Sequence, residues 1–106
     1  MGITMETIKT SYSDGKLVVT MAGRIDMNNV EDVRKEVFAA VETHPDVRPR
    51  FDAKELDYIS SAGLRVLLQV GTRYDQPLDI VDVSPMVMEI LETTGFTQIM
   101  NIHPAK

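Results

Sequence analysis

Two adjacent hydroxyls, Ser60-Ser61, are followed by Ala62-Gly63 and then by Leu64, Leu67, Leu68 and Gly71 at helical spacing. Tyr58-Ile59 upstream reads as extended chain, so the serines fall where a strand ends and a helix begins. A hydroxyl in the first turn of a helix lies beside free backbone N–H groups and the positive end of the helix dipole. A phosphate placed there brings about −1.5 to −2 charges and three acceptor oxygens, and an exposed helix end stabilises each unit of charge by ~0.3–1 kcal/mol. Ser61 is therefore the candidate phosphorylation site, with Ser60 as runner-up. Ala62 and Gly63 leave little bulk around the hydroxyl, while Ile59 and Leu64 are expected to offer an apolar surface from which an added dianion would expel a docked partner. The competing reading makes Ser60 and Ser61 simple helix caps, since serine is among the preferred capping residues. The residues alone leave both open.

Other chemistries find less support. The strand-turn-helix serine resembles a hydrolase nucleophile elbow, but the first glycine of that motif is missing. The available bases, His44 and His103, fall in a Pro-flanked loop and near the C-terminus. No His/Asp/Glu grouping has metal-ligand spacing, and zero cysteines exclude thiolate sites and disulfides. We therefore expect no catalysis, no metal and no cofactor. A net charge of −5 without a Lys/Arg cluster argues against nucleic acid, and the apolar runs are too short for a membrane helix. With no signal-like N-terminus, the expected location is the cytoplasm and the expected partner another protein. The negative charge favours a monomer.

The elements that must position the serines follow from periodicity. Ile3–Ile8 and Lys16–Ala22 read as strands joined through the turn signal Asp14-Gly15. After Gly23-Arg24-Ile25-Asp26, residues Val30, Val33, Val37, Phe38 and Val41 recur at helical spacing, with Asn28 as expected N-cap and Glu31 completing a capping box. Arg50–Leu56 reads as the next strand, with Phe51 and Ala53 on one face. The Ser60-Ser61 helix follows, then strand Leu78–Val83. A third helix begins at Ser84-Pro85, points Val87, Ile90 and Leu91 inward, and stops at Gly95. Ile99–Ile102 is the expected edge strand. The order β-β-α-β-α-β-α-β over residues 1–106 predicts one α/β domain with a mixed sheet and the helices mainly on one face. Met21, Met27, Met86, Met88 and Met100 are expected to fill core gaps more than to line a binding surface.

The run Phe51 to Leu64, ending in Ile59-Ser60-Ser61-Ala62-Gly63-Leu64, resembles the signature of STAS domains. Gly23-Arg24-Ile25-Asp26 and the stretch from Val83-Ser84-Pro85 to Thr94-Gly95-Phe96 resemble two further motifs of that family, in the same order. The resemblance implies a bacterial anti-sigma-factor antagonist. Its unphosphorylated form would bind an anti-sigma factor that is also a serine kinase, releasing a sigma factor, and phosphorylation at the position of Ser61 would switch binding off. A metal-dependent serine phosphatase would reset it. The same resemblance places the partner surface on Asp26, Met27 and Asn28 and on Ser60, Ala62, Gly63 and Leu64, although Asp26 reads equally well as a local turn residue. Ser60 stands where relatives often carry aspartate, Ala62 where they carry a second hydroxyl, and many relatives continue into another helix beyond the position of Ile102. The alternative is an adaptor subunit of the same fold, in a transport or signalling complex, that is never phosphorylated.

Overall fold

The computed structural model describes residues 7–105. Strand β1 (Ile8–Ser13) turns at Asp14 and Gly15, whose φ of 54° and 73° form the left-handed pair that a two-residue hairpin requires, into β2 (Lys16–Ile25). Then come α1 (Val30–Thr43), β3 (Arg50–Ile59), α2 (Ser61–Gly71), β4 (Asp79–Val83), α3 (Pro85–Thr93), a 3-10 turn over Phe96–Gln98, and β5 (Asn101–Pro104). The five strands lie in sequential order, with β1 antiparallel to β2 and every later pair parallel. Each crossover thus steps the same way along the sheet, and the right-handed rule for such connections puts α1, α2 and α3 on the same face, as expected.

Burial follows from that layering. Leu17, Val19 and Met21 on β2, Phe51 and Ala53 on β3 and Ile80 on β4 are buried, whereas the alternating Val18, Thr20, Asp52 and Val81 are only partly covered. Val33, Val37 and Val41 of α1, Leu64, Leu67 and Val70 of α2, and Val87 and Leu91 of α3 close the core from one side. A side chain as enclosed as Phe51 contributes roughly 1.5–3 kcal/mol over an exposed one.

Several element bounds differ from the sequence expectation. The first strand is centred later, on the polar run to Ser13, because pairing with β2 rather than side-chain type holds it in the sheet; residues 3–6 of the expected strand lie outside the described residues. β2 and β3 run past Ala22 and Leu56 to Ile25 and Ile59, carried by register shifts that keep their backbones paired. β5 begins at Asn101 because the 3-10 turn consumes the preceding residues, burying Phe96 and Met100 and leaving Ile99 outside. α3 behaves as read: Ser84 accepts a hydrogen bond from the Val87 N–H (3.3 Å), Pro85 opens the helix, and Gly95 follows it at φ 82°.

Candidate functional site

The site begins where β2 and β3 end side by side. Ile25 pairs with Ile59, and the Ser60 N–H donates to the Ile25 carbonyl (2.8 Å) as one more link between the strands. Ser60 then takes the N-cap conformation (φ −82°, ψ 171°). Its half-buried hydroxyl accepts from the Gly63 N–H (3.3 Å), and its carbonyl accepts from the Leu64 N–H (2.9 Å). Ser61 is the first residue of α2. It is exposed, and its hydroxyl makes no hydrogen bond among the described residues. The two serines thus take different roles: Ser60 caps, and Ser61 faces solvent.

Gly63 seats this turn. A Cβ added there would stand 2.7 Å from Ile25 Cγ2 and 2.7 Å from Ile59 Cγ1, closer than real Cβ contacts come, so only glycine lets α2 lie against both strand ends. The expected apolar surface beside Ser61 is corrected by the same packing. Ile59 is 2 % and Leu64 4 % exposed, and Gly63 is buried, because the helix turns these residues into the core. They hold the serine turn in place without presenting side-chain area. Ala62 is half-buried at its edge.

Met27, in the loop that follows Ile25, is 84 % exposed. Its loop is tied by side chains: the Asn28 N–H donates to Asp26 Oδ1 (2.9 Å), the Asp26 N–H to Asn29 Oδ1 (2.9 Å), and Asn29 Nδ2 to the Arg24 carbonyl (2.7 Å). Arg24 Nε lies 3.9 Å from Asp26 Oδ2, and its guanidinium stacks 4.4 Å over the Tyr58 ring. The expected capping box from Asn28 to Glu31 does not form. Asn29 occupies the N-cap with no side-chain cap bond, since its amide is turned back onto the strand end. Asp26 therefore has a structural task at the turn, half-buried, while Asn28 is exposed beside Met27. Arg24 and Asn29 are structural residues of this loop outside the expected site; the Asp26-to-Asn29 spacing of a side-chain-bonded turn is their signal in the sequence. Of the other methionines, Met21 and Met100 are buried as expected, Met88 is partly buried, and Met86 is exposed.

Neither histidine approaches Ser61. His44 closes the far end of α1, a helix of about 20 Å at ~1.5 Å per residue, and stacks on Tyr12 at 3.9 Å between ring centroids. His103 lies 3.6 Å from Asp79, whose strand partner Arg50 is at the opposite end of β3 from Ser60. The hydrolase reading is left without a base near its serine. Among the described residues no group of three or more His, Cys, Asp or Glu is placed to hold a metal, and no helix is long and apolar enough to cross a membrane.

Comparison with known proteins gives a match to the STAS domain model over residues 7–106. BtrV of Bordetella bronchiseptica, named as a candidate anti-sigma factor antagonist, is 35% identical over 105 residues, covering 96% of this chain and 85% of BtrV. An anti-sigma-factor antagonist (STAS) domain protein of Planctomyces limnophilus superposes with a TM-score of 0.81 at 17% identity, over 97% of this chain and 93% of that one. The anti-sigma factor antagonist SpoIIAA has been solved unphosphorylated (TM-score 0.68, 15% identity, 93% of this chain and 89% of SpoIIAA), and the Bacillus cell fate determinant SpoIIAA phosphorylated (0.62, 17%, 90% and 89%). At such identities the likeness to the solved structures is one of fold.

Proposed function

This chain belongs to the STAS domain family, and from that premise we propose that it is a one-domain anti-sigma-factor antagonist acting as a partner switch. Unphosphorylated, it binds an anti-sigma factor serine kinase in the cytoplasm and so releases a sigma factor. Phosphorylation of Ser61 ends that binding, and a metal-dependent serine phosphatase restores it. The kinase brings ATP and magnesium, so the chain needs no cofactor. The observation that carries this reading is the exposed, unengaged Ser61 hydroxyl at the head of α2, beside a neighbour that already does the capping. A dianion there meets the positive end of the helix and need not disturb the fold. It also faces any partner docked on Met27, Asn28 and the Ser60–Ala62 turn, where desolvating the added charge opposes contact. The relative BtrV is named as a candidate anti-sigma factor antagonist, and SpoIIAA has been solved with this fold both unphosphorylated and phosphorylated.

The test is incubation with the cognate anti-sigma kinase and ATP. One phosphate is expected at Ser61; Ser61→Ala abolishes it while retaining kinase binding, and Ser61→Asp weakens binding with little change in thermal stability. Labelling of Ser60 instead would move the acceptor. No transfer by any such kinase of the source organism would favour the unphosphorylated adaptor, and a Ser61→Asp chain that binds like wild type would exclude charge as the switch.

A further inference from the structure

Taking Ser61 as the phosphorylated residue, we propose that Arg65 is the intramolecular counter-charge of phosphoserine 61, so that modification also withdraws a cation that the unmodified chain presents to its partner. Among the described residues, Arg24 lies within 4.0 Å of Asp26, Arg34 of Glu31, Arg48 and Arg50 of Asp79, and Arg73 of Glu42. Arg65 alone among the arginines has no carboxylate of the described residues at that range. It is exposed on α2 about one turn below Ser61, at the i, i+4 spacing that brings side chains within roughly 5–6 Å between Cβ atoms. Helical Cα–Cβ bonds tilt toward the N-terminus, so a long side chain at position 65 covers the turn that holds residue 61. The order is also the favourable one, with the anion N-terminal to the cation and next to the positive end of the helix.

The planar guanidinium can give two parallel N–H bonds to phosphate oxygens, which an ammonium cannot. Engaging Arg65 breaks no existing ion pair. Two further arginines are already engaged: Arg24 by Asp26 and the Tyr58 ring, and Arg34 by Glu31 and the Gln69 amide oxygen. In the unmodified chain Arg65 stays free for the partner, whose matching contact therefore carries a carboxylate. The surface changes sign on phosphorylation by the phosphate charge together with the masking of this cation.

The experiment installs phosphoserine at position 61 during translation and follows the phosphate by 31P NMR against pH. Its second pKa, ordinarily about 6, is expected about half a unit lower in the wild-type background than in Arg65→Gln, with Arg65→Lys recovering part of the difference. In the unphosphorylated chain, Arg65→Gln weakens binding to the anti-sigma kinase several-fold, most at low salt. Equal titrations in the wild-type and Arg65→Gln backgrounds overturn the Arg65 contact even if the kinase labels Ser61. A kinase that ignores Ser61 overturns the switch even if the titrations differ, because the phosphate is installed rather than transferred.

Discussion

Ser60 and Ser61 carry the same hydroxyl on neighbouring residues, and backbone conformation alone gives them different work. At ψ 171° Ser60 is still extended, which aims its Oγ at the Gly63 N–H; Ser61 is already helical and points away. Ser60→Ala should therefore cost about 1 kcal/mol of unfolding free energy, the usual loss on removing a serine cap. Ser61→Ala, at an exposed position, should stay within about 0.5 kcal/mol of wild type. Urea denaturation of the two variants checks this. Equal losses would mean that both hydroxyls support the helix, and would weaken the case for a free acceptor. The pair was legible in the sequence because serine before a helical period is a strong start signal. Which serine caps was not, since one residue of shift in the strand end exchanges their roles.

At the scale of elements, α2 is held by one close approach, and two glycines of the same helix offer a matched comparison. Gly63→Ala drives a methyl to 2.7 Å from Ile25 and Ile59, so we expect a loss of about 1–3 kcal/mol as the helix start lifts from the strand ends. At Gly71 a Cβ meets only Leu78 and Met100 atoms at 3.8–3.9 Å, ordinary contacts, and alanine there should be neutral or stabilising by up to ~1 kcal/mol. Thermal or urea unfolding of both variants decides it; a Gly63→Ala chain as stable as wild type would show that α2 is not pinned there. Helix periods are readable because Val33, Val37 and Val41, or Leu64 and Leu67, repeat one face; Leu68, on the expected α2 period, is instead exposed, and Val66 and Val70 fill the core. α1 starts later than its Asn28 capping signal predicts because the Asn29 amide bonds the Asp26 N–H and the Arg24 carbonyl, a local turn that the capping-box pattern does not encode.

For the molecule as a whole, one buried polar group stands out among the described residues. The Tyr74 ring, in the connection from α2 to β4, packs against the core, and its hydroxyl is buried without a hydrogen-bond partner. Burial pushes the phenol's pKa above its ordinary value of 10.0, with Arg73 beside it pulling the other way. The folded chain thus holds the neutral phenol more firmly than the unfolded chain does. That contribution is fully present below pH ~10 and is lost as pH rises from there through the folded value. Tyr74→Phe should match or exceed wild-type stability at neutral pH, by on the order of 1 kcal/mol, because an unpaired hydroxyl is removed. Its advantage should grow above pH ~10. Denaturation at pH 7 and in that alkaline range measures both, and a destabilised Tyr74→Phe would reveal a partner for the hydroxyl.

The sequence by itself determined the element order, the turn at Asp14-Gly15, the one-sided core and the serine pair at a strand-to-helix junction. Each rests on local propensity or on a repeat that does not depend on distant residues. Tertiary structure alone decided that Ser61 rather than Ser60 is free, that Leu64 and Ile59 are core rather than surface, that Met27 is exposed, and that Arg65 has no carboxylate partner among the described residues. Those outcomes depend on register between β2 and β3 and on which distant side chains meet, and short-range pattern contains neither.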